Sequence, residues 1–492
     1  MISVQLPILS VVIPLLGAPV CALMRSSRWA WALSVALAWI SFGVAVALFQ
    51  QAWLGGYVSY EIGGWPPPWG IEYRIDILNA FVLLLVCGMA AVVVPFSGRS
   101  IEAELPDDRI PLFYAALLLC YTGLLGITVT GDAFNVFVFL EISSLSTYAM
   151  IALGRDRRAL TAAYQYLIMG TIGATFILIG IGLMYVMTGT LNMADLAERL
   201  QQVNNTRTIR VAFGFLTVGI CLKLALFPLH LWLPNAYTFA PSAVTAFLAS
   251  TATKVAVYML LRFFYTVFGA EFSFATMNLD LILMPLALVA IFSMSLVALF
   301  QDNVKRMLAY SSVAQIGYMI LGISFGSING LTAGILHLFN HGLMKGALFL
   351  ALGALVLRTG STQIQDLAGV GRRMPWTMGA FVIGGLSLIG VPLTVGFVSK
   401  WYLVAAAIEA GYWPIAGLIL LTSLMAVVYI WRVVEVAYFG ASLAEAPVAS
   451  EAPLSMLLPI WVLVIANLYL GIDTSLTVGA ATMAAGQLMA GW

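Results

Sequence analysis

Four lysines and three histidines stand where an apolar chain has least reason to place them. Lys223, Lys254, Lys345 and Lys400 fall inside long apolar runs, as do His230, His337 and His341. A charge at the centre of a membrane span costs roughly 2.5 to 3.5 kcal/mol on insertion scales, so such residues call for a reason. The chain has five lysines, four of them within runs, while all 17 arginines lie in loops or towards the ends of runs. Arginine keeps its proton, whereas a buried lysine can release one. This segregation points to titratable groups and hence to proton transfer. His337, His341 and Lys345 follow at i, i+4 and i+8 in HLFNHGLMKGALFLALG, which places them on one helix face. Histidine titrates near neutrality and offers two ring nitrogens, so this face could relay protons.

Glu141, in GDAFNVFVFLEISSLSTYAMIALG, is the one acid at mid-run. A lone carboxylate in hydrocarbon stays protonated or needs a cation. Lys223 and Lys254 are the candidates, and a pair that can be made or broken is a switch. Plainer readings stay open for each group: snorkelling or a permanent ion pair for the lysines and Glu141, and helix-to-helix hydrogen bonding for the histidines. Two histidines at i, i+4 could hold zinc, but neither an HExxH glutamate nor a nearby thiolate completes a site, so no metal and no cofactor are expected.

Composition sets the class of the elements that carry these groups. Apolar residues make up 62% of the 492 residues and charged ones 9%, against roughly 25% charged in a soluble domain. The fold class is therefore an all-α polytopic membrane protein. Runs of about 20 apolar residues, the length of one helical span, number fourteen. The four cysteines all lie in spans and read as small buried residues. A net charge of +1 gives no basis for a nucleic-acid partner. The first run lacks a basic segment before it, so residues 3–24 are expected to remain as a span. Loops joining odd to even spans carry 13 basic residues and the others 5. The positive-inside rule then puts both termini on the non-cytoplasmic side.

The chain divides into residues 1–109, three scaffold spans with an external hairpin at GGYVSYEIGGWPPPWGIEYRID; 110–266, spans 4–8; 279–439, spans 9–13; and 453–492, span 14 and a tail. The two middle segments repeat. Residues 135–154 align with 303–322 at an offset of 168, Pro228 with Pro392 at 164, and 254–262 with 425–433 at 171. Five spans per unit force the second to run upside down relative to the first. Inverted repeats with one discontinuous helix each place ion sites near the midplane, and the breaks need hydrated or protein-lined surroundings. The halves differ chemically, since Glu141 faces Ala309 and Lys254 faces Met425 in this alignment. A break at Gly390-Val391-Pro392 would put Lys400 deeper than its position implies.

Glu141, the stretch KLALFPLHLWLPNAYTFAPSAVTAFLASTATK, HLFNHGLMKGALF and GVPLTVGFVSKW together resemble the antiporter-like membrane subunits shared by respiratory complex I, ion-pumping membrane hydrogenases and Mrp-type Na⁺/H⁺ antiporters. The resemblance covers nearly the whole chain. It implies a functional pair of Glu141 with Lys223, a buried polar axis continuing through Lys254 to Lys400, and His337, His341 and Lys345 between them. His230, Pro228 and Pro392 become candidates for relay or gating. The hairpin and the length resemble the D subunit of the Mrp type, which implies a secondary ion transporter subunit in a bacterial plasma membrane. Its partners would be other membrane subunits, the lipid bilayer, protons and Na⁺. The alternative is the proton-pumping membrane subunit of complex I or of a hydrogenase. An integral membrane enzyme acting on phosphorylated lipid would need a DDxxD-like cluster, which the sequence lacks. An assembly-only subunit would not need four buried lysines.

Overall fold

A computed structural model describes residues 2–440 and 450–491. Apolar runs too long for strands and too poor in turn residues for loops fold as helices: α1 (Ile2–Leu23) and α2 (Ser27–Gly55). A short antiparallel hairpin follows, β1 (Val58–Glu61) with β2 (Glu72–Ile75), Val58 opposite Ile75. Then come α3 (Ile77–Glu104), α4 (Ile110–Val129), α5 (Ala133–Ala152), α6 (Arg158–Thr188) and the amphipathic α7 (Met193–Val203). The next stretch is fragmented into α8 (Arg207–Leu224), α9 (Trp232–Phe239), α10 (Ser242–Ser250) and α11 (Ala252–Leu261), with π-helical turns at Arg262–Val267 and Glu271–Thr276. The second half holds α12 (Leu279–Leu299), α13 (Val304–Ser324), α14 (Ile328–Thr359), α15 (Val370–Arg373), α16 (Pro375–Ile389), α17 (Val395–Glu409) and α18 (Trp413–Phe439). The chain closes on α19 (Leu454–Ile472) and α20 (Ser475–Ala490).

Among the described residues, 12 helical segments are long and apolar enough to cross a membrane. The broken pairs α8–α9 and α16–α17 fall at the positions of the other two of the fourteen expected spans. Each break has a local cause. Ala225 turns left-handed (φ 59°) after α8, ahead of Pro228. After α16, Gly390 (φ 94°) turns the chain and Pro392 withholds a backbone N–H. A third break was not legible in the sequence. Thr251, at φ −125° and ψ −59°, separates α10 from α11 inside a run that reads as one span.

Backbone hydrogen bonds recur 171 residues apart. Ala133 N–H donates to Leu191 O and Met193 N–H to Gly131 O, both 2.8 Å; Val304 N–H donates to Thr362 O and Ile364 N–H to Asp302 O, also 2.8 Å. Asp132 and Asn303 cap the helices that follow. At these caps the register is 171, three residues beyond the sequence alignment, so Ser312 rather than Ala309 stands opposite Glu141. A slip of about one helical turn keeps most small and apolar matches, so side-chain pattern alone could not detect it.

Two expectations for the ends of the chain need correction. Spans 1 to 3 read as a scaffold, yet α3 is mostly buried, against α2, α4, α10, α14, α19 and α20. Its apolar residues surround the helix on every side, the pattern of a central span. The tail beyond span 14 is itself a helix, α20, packed on α14 and α3.

The loops sort into two ends. The hairpin end gathers Tyr60, whose hydroxyl donates to Gln5, together with Glu72 and Asn192, and Asp76 with Arg262. Tyr57 and Gly491 line one cavity there, so both ends of the described chain lie at the hairpin end. The opposite end gathers Ser27 with Asp107, Arg358 with Glu451, and Arg432 with Asp302.

Candidate functional site

The five lysines share one feature that their positions in sequence do not show: each donates to uncharged oxygen. Lys223 Nζ, on α8, donates to Ser144 Oγ of α5 at 2.9 Å. Lys254 Nζ, fully buried on α11, donates to Ala249 O and to Thr253 Oγ1 (3.2 Å). Ala249 is in the last turn of α10, where carbonyls lack helical partners, so the Thr251 break supplies this lysine's acceptor. Lys345 Nζ donates to Leu308 O (2.8 Å) and Ser311 Oγ of α13. Lys400 Nζ donates to Leu388 O and Ile389 O, both 3.0 Å, and to Ser423 Oγ at 3.1 Å. Those two carbonyls end α16, so the break does carry Lys400 inward. Lys305, which reads as a loop charge, is buried and donates to Ala240 O at 2.8 Å. Among the described residues no lysine forms an ion pair.

Glu141 therefore differs from the expected pair. Its carboxylate lies one turn from Ser144 on α5 but is not in contact with Lys223, and its Oε1 is buried without a hydrogen-bond partner. The Ser144 hydroxyl occupies the place the carboxylate was expected to take. Beside Lys223 lies a cavity of about 40 Å³ where Ser143, Ser144, Thr147 and Tyr166 meet apolar side chains such as Leu124, Val255 and Met259, with room for a water molecule.

The three titratable groups of α14 are all fully buried. His337 contacts Ser399 Oγ through Nδ1 (2.8 Å) and Gln315 Oε1 through Nε2 (2.9 Å). An amide oxygen only accepts, so Nε2 carries the proton in a neutral ring and the Ser399 hydroxyl donates to Nδ1. His341 stacks parallel to His337, ring centroids 6.1 Å apart, and both its nitrogens lack hydrogen-bond partners. Gly342, the next residue, lets α14 close on the α10–α11 break: a Cβ there would stand 3.0 Å from Ser250 O. His230 is buried just beyond Pro228, stacked on Phe227 at 5.4 Å, with Nδ1 unpartnered. Among the described residues no three His, Cys, Asp or Glu side chains converge as a metal site.

The α16–α17 break is held from both sides. Ser387 Oγ accepts from Gly396 N–H (3.4 Å) and donates to Asn467 Oδ1 of α19 (3.0 Å). A Cβ on Gly396 would collide with Ser387 O, a backbone atom that cannot yield. Gly396→Ala should therefore pry α17 from α16 and move Lys400 from its carbonyls, at about 1–3 kcal/mol or more. Thermal melting of the purified complex checks this; an unchanged midpoint would show that the crossing has slack.

The sequence missed one buried cluster. Arg262 Nη2 pairs with Asp76 Oδ2 at 2.8 Å and donates to Asn79 Oδ1 at 2.9 Å. Arg262 reads as a loop charge, but it lies eight residues from Lys254 and so on the same face of its helix, and Asp76-x-x-Asn79 has the spacing of a capping box. Those two patterns were the available signal.

The family profile described as "NADH:quinone oxidoreductase/Mrp antiporter, TM" matches residues 130–426, which contain every candidate from Glu141 to Lys400. NADH-quinone oxidoreductase subunit N of Desulforudis audaxviator is 44% identical over 489 residues, 96% of each chain. The D subunit of the Na(+)/H(+) antiporter of Alkalihalophilus pseudofirmus is 31% identical over 432 residues, 88% of this chain and 85% of the relative. Among solved structures, a chain of the membrane-bound sulfane sulfur reductase, an archaeal respiratory membrane complex, superposes with a TM-score of 0.90 at 30% identity, covering 99% of this chain and 98% of that one. The higher identity thus lies with a quinone oxidoreductase subunit rather than with the Mrp D subunit that the hairpin and length resemble. With its apolar helices, interrupted spans and buried lysines, the chain belongs to the NADH:quinone oxidoreductase/Mrp antiporter family of membrane ion-translocating subunits.

Proposed function

We propose that this chain is the proton-translocating subunit of a redox-driven membrane complex of the quinone oxidoreductase type. One observation carries the chemistry: the axis lysines donate only to carbonyl and hydroxyl oxygens. Such acceptors serve an ammonium and a neutral amine alike, so each site stays hydrogen-bonded whether or not it holds the proton. A carboxylate partner would instead fix the charge in place. The choice of a redox-driven complex rests on the 44% identity to a quinone oxidoreductase subunit across almost the full length of both chains.

In this reading protons reach Lys223 at the α8–α9 break, where Pro228 and His230 gate access. The charge of Lys223 acts on Lys254, then on His341, His337 and Lys345, and finally on Lys400 at the α16–α17 break beside Pro392. Coulomb coupling between such groups amounts to a few kcal/mol at contact distance and low effective dielectric. Glu141 sets the charge of Lys223 from one turn beyond Ser144. Residues 110–266 and 279–439 act as inverted units, a reading supported by the hydrogen bonds repeated at 171 residues. The excess of arginine at the end away from the hairpin supports a cytoplasmic placement of that end. Both termini then face outward from a bacterial plasma membrane.

Glu141→Gln keeps the shape and removes the charge. It should lower proton translocation at least about tenfold, ~1.4 kcal/mol on the limiting barrier, with the amount of complex unchanged. Full translocation with less complex would instead give Glu141 a structural role.

The Mrp reading keeps one specific support, the 31% identity to an antiporter D subunit. Vesicles holding the assembled complex decide between them. In the redox reading, quinone reduction acidifies the compartment at the hairpin side without Na⁺. Dissipation of an imposed pH gradient by added Na⁺, with no response to a reductant, would establish the antiporter instead.

A further inference from the structure

The proposed axis does not use the Asp76–Arg262 pair, though Arg262 continues the helix face that carries Lys254 and Asp76 caps the neighbouring α3. Lys254, Tyr258 and Arg262 follow at four-residue spacing along α11 and into the π-turn. The Tyr258 hydroxyl donates to Thr128 O of α4 (3.0 Å) and accepts from Asn79 Nδ2 (2.8 Å) and Arg262 Nε (3.3 Å). From Tyr258 to the Asp76 carboxylate the hydrogen bonds are continuous, and one helical turn, about 5.4 Å of rise, separates Tyr258 from Lys254.

The other side of the pair is not closed by protein. Asp76 and Arg262 line a cavity of about 290 Å³ with Tyr57, Arg74 and Gln487. It shares Tyr57, Arg74, Thr266, Leu488 and Gly491 with a larger cavity, about 1170 Å³, at the hairpin end. Complete burial of two charges carries a desolvation cost, and this pair keeps a cavity beside it at the hairpin end. The second unit offers a contrast, since the residues 171 further on are Met425, Tyr429 and Val433. There the tyrosine stays and both basic groups are gone.

We infer that Asp76, Arg262 and Tyr258 form a gated port connecting Lys254 to the hairpin side of the membrane. The port rests on the proton-translocating reading above and adds a second aqueous access to the axis. In the outward step the Lys254 ammonium gives up one proton and is left as an amine, and cavity water takes that proton as hydronium. The Tyr258 hydroxyl orients the path. The Asp76 carboxylate stabilises the cation at the mouth, and its pairing with Arg262 closes it.

The test uses the assembled complex carrying Gln487→Cys, a position that is exposed in the inner cavity and makes no part of the hydrogen-bond chain. The four native cysteines are buried. A membrane-impermeant, positively charged methanethiosulfonate added at the hairpin side should label Cys at 487 and lower translocation at least about fivefold, roughly 1 kcal/mol. Added at the opposite side it should do neither. Tyr258→Phe should lower the rate per complex by a similar factor with the complex amount unchanged. No labelling from the hairpin side, labelling without loss of rate, or full rate in Tyr258→Phe each overturns the port. Failure of the port is distinguishable from failure of the function: an unlabelled Gln487→Cys complex that moves protons upholds the function whatever the reagent does, whereas a native complex that moves none defeats it.

Discussion

Lys254→Met should abolish proton translocation, by at least about 100-fold or ~2.7 kcal/mol, while the complex still assembles. The lysine is wholly buried, and its acceptors are Ala249 O and Thr253 Oγ1, with no acid in contact. Replacing it leaves no orphaned counter-charge. The cost is one unsatisfied carbonyl, about 1–3 kcal/mol, offset by removal of the expense of burying an amine. Methionine has a similar length and fills irregular space well. Lys223→Ala should give the same loss of transport, since its acceptor, Ser144, can turn to other partners on α5. Proton uptake by vesicles, normalised to complex on a native gel, checks both. If both variants translocate normally, the relay is wrong.

Arg262→Ala should destabilise the protein more than any substitution along the lysine axis. The pair is mostly buried, with Arg262 3% and Asp76 10% exposed and only the cavity it lines beside it, and removing the guanidinium strands a carboxylate among α3, α4 and α11. Breaking one partner of a buried pair typically costs about 3–5 kcal/mol. The measurable result is loss of the subunit from the membrane, or a large fall in the melting temperature of the purified complex. The double variant Asp76→Asn with Arg262→Ala should recover part of it, because Asn still caps α3 and leaves no charge. An exposed pair gives the control. Arg158 lies 2.5 Å from Asp156, but the side chains are 71% and 40% exposed, so Arg158→Ala should change stability by no more than about 1 kcal/mol. Equal effects at the two sites would mean that burial does not set the strength of the Asp76–Arg262 pair.

The sequence made some elements legible because a membrane restricts what a chain can do. Spans must be long and apolar, so fourteen runs stand out, and Pro228 and Gly390 point to breaks, although Pro95 and Pro285 sit inside unbroken helices. A charge within a span is expensive enough to be informative, which is why Lys223, Lys254, Lys345, Lys400 and the α14 histidines stood out. Elsewhere the signal was faint. Thr251 breaks a span without glycine or proline, so no residue type within the run marks it. Arg262 reads with the loops because distance from the middle of a run is a poor measure of burial where helices are long.

Residue types and spacing by themselves determined that this is a helical membrane protein with titratable groups in its spans, since hydrophobicity and charge cost are properties of a single chain segment. Which oxygen each lysine meets was decided only in the tertiary structure. Acceptors such as Ser144, Ala249 O, Leu308 O and Leu388 O come from a neighbouring helix or from a helix end exposed by a break. The same holds for the repeat register, fixed by caps and inter-loop hydrogen bonds rather than by matching side chains. It holds also for Glu141, whose separation from Lys223 depends on how α5 and α8 rotate against each other. Those are relations between segments distant in sequence, and no local pattern encodes them.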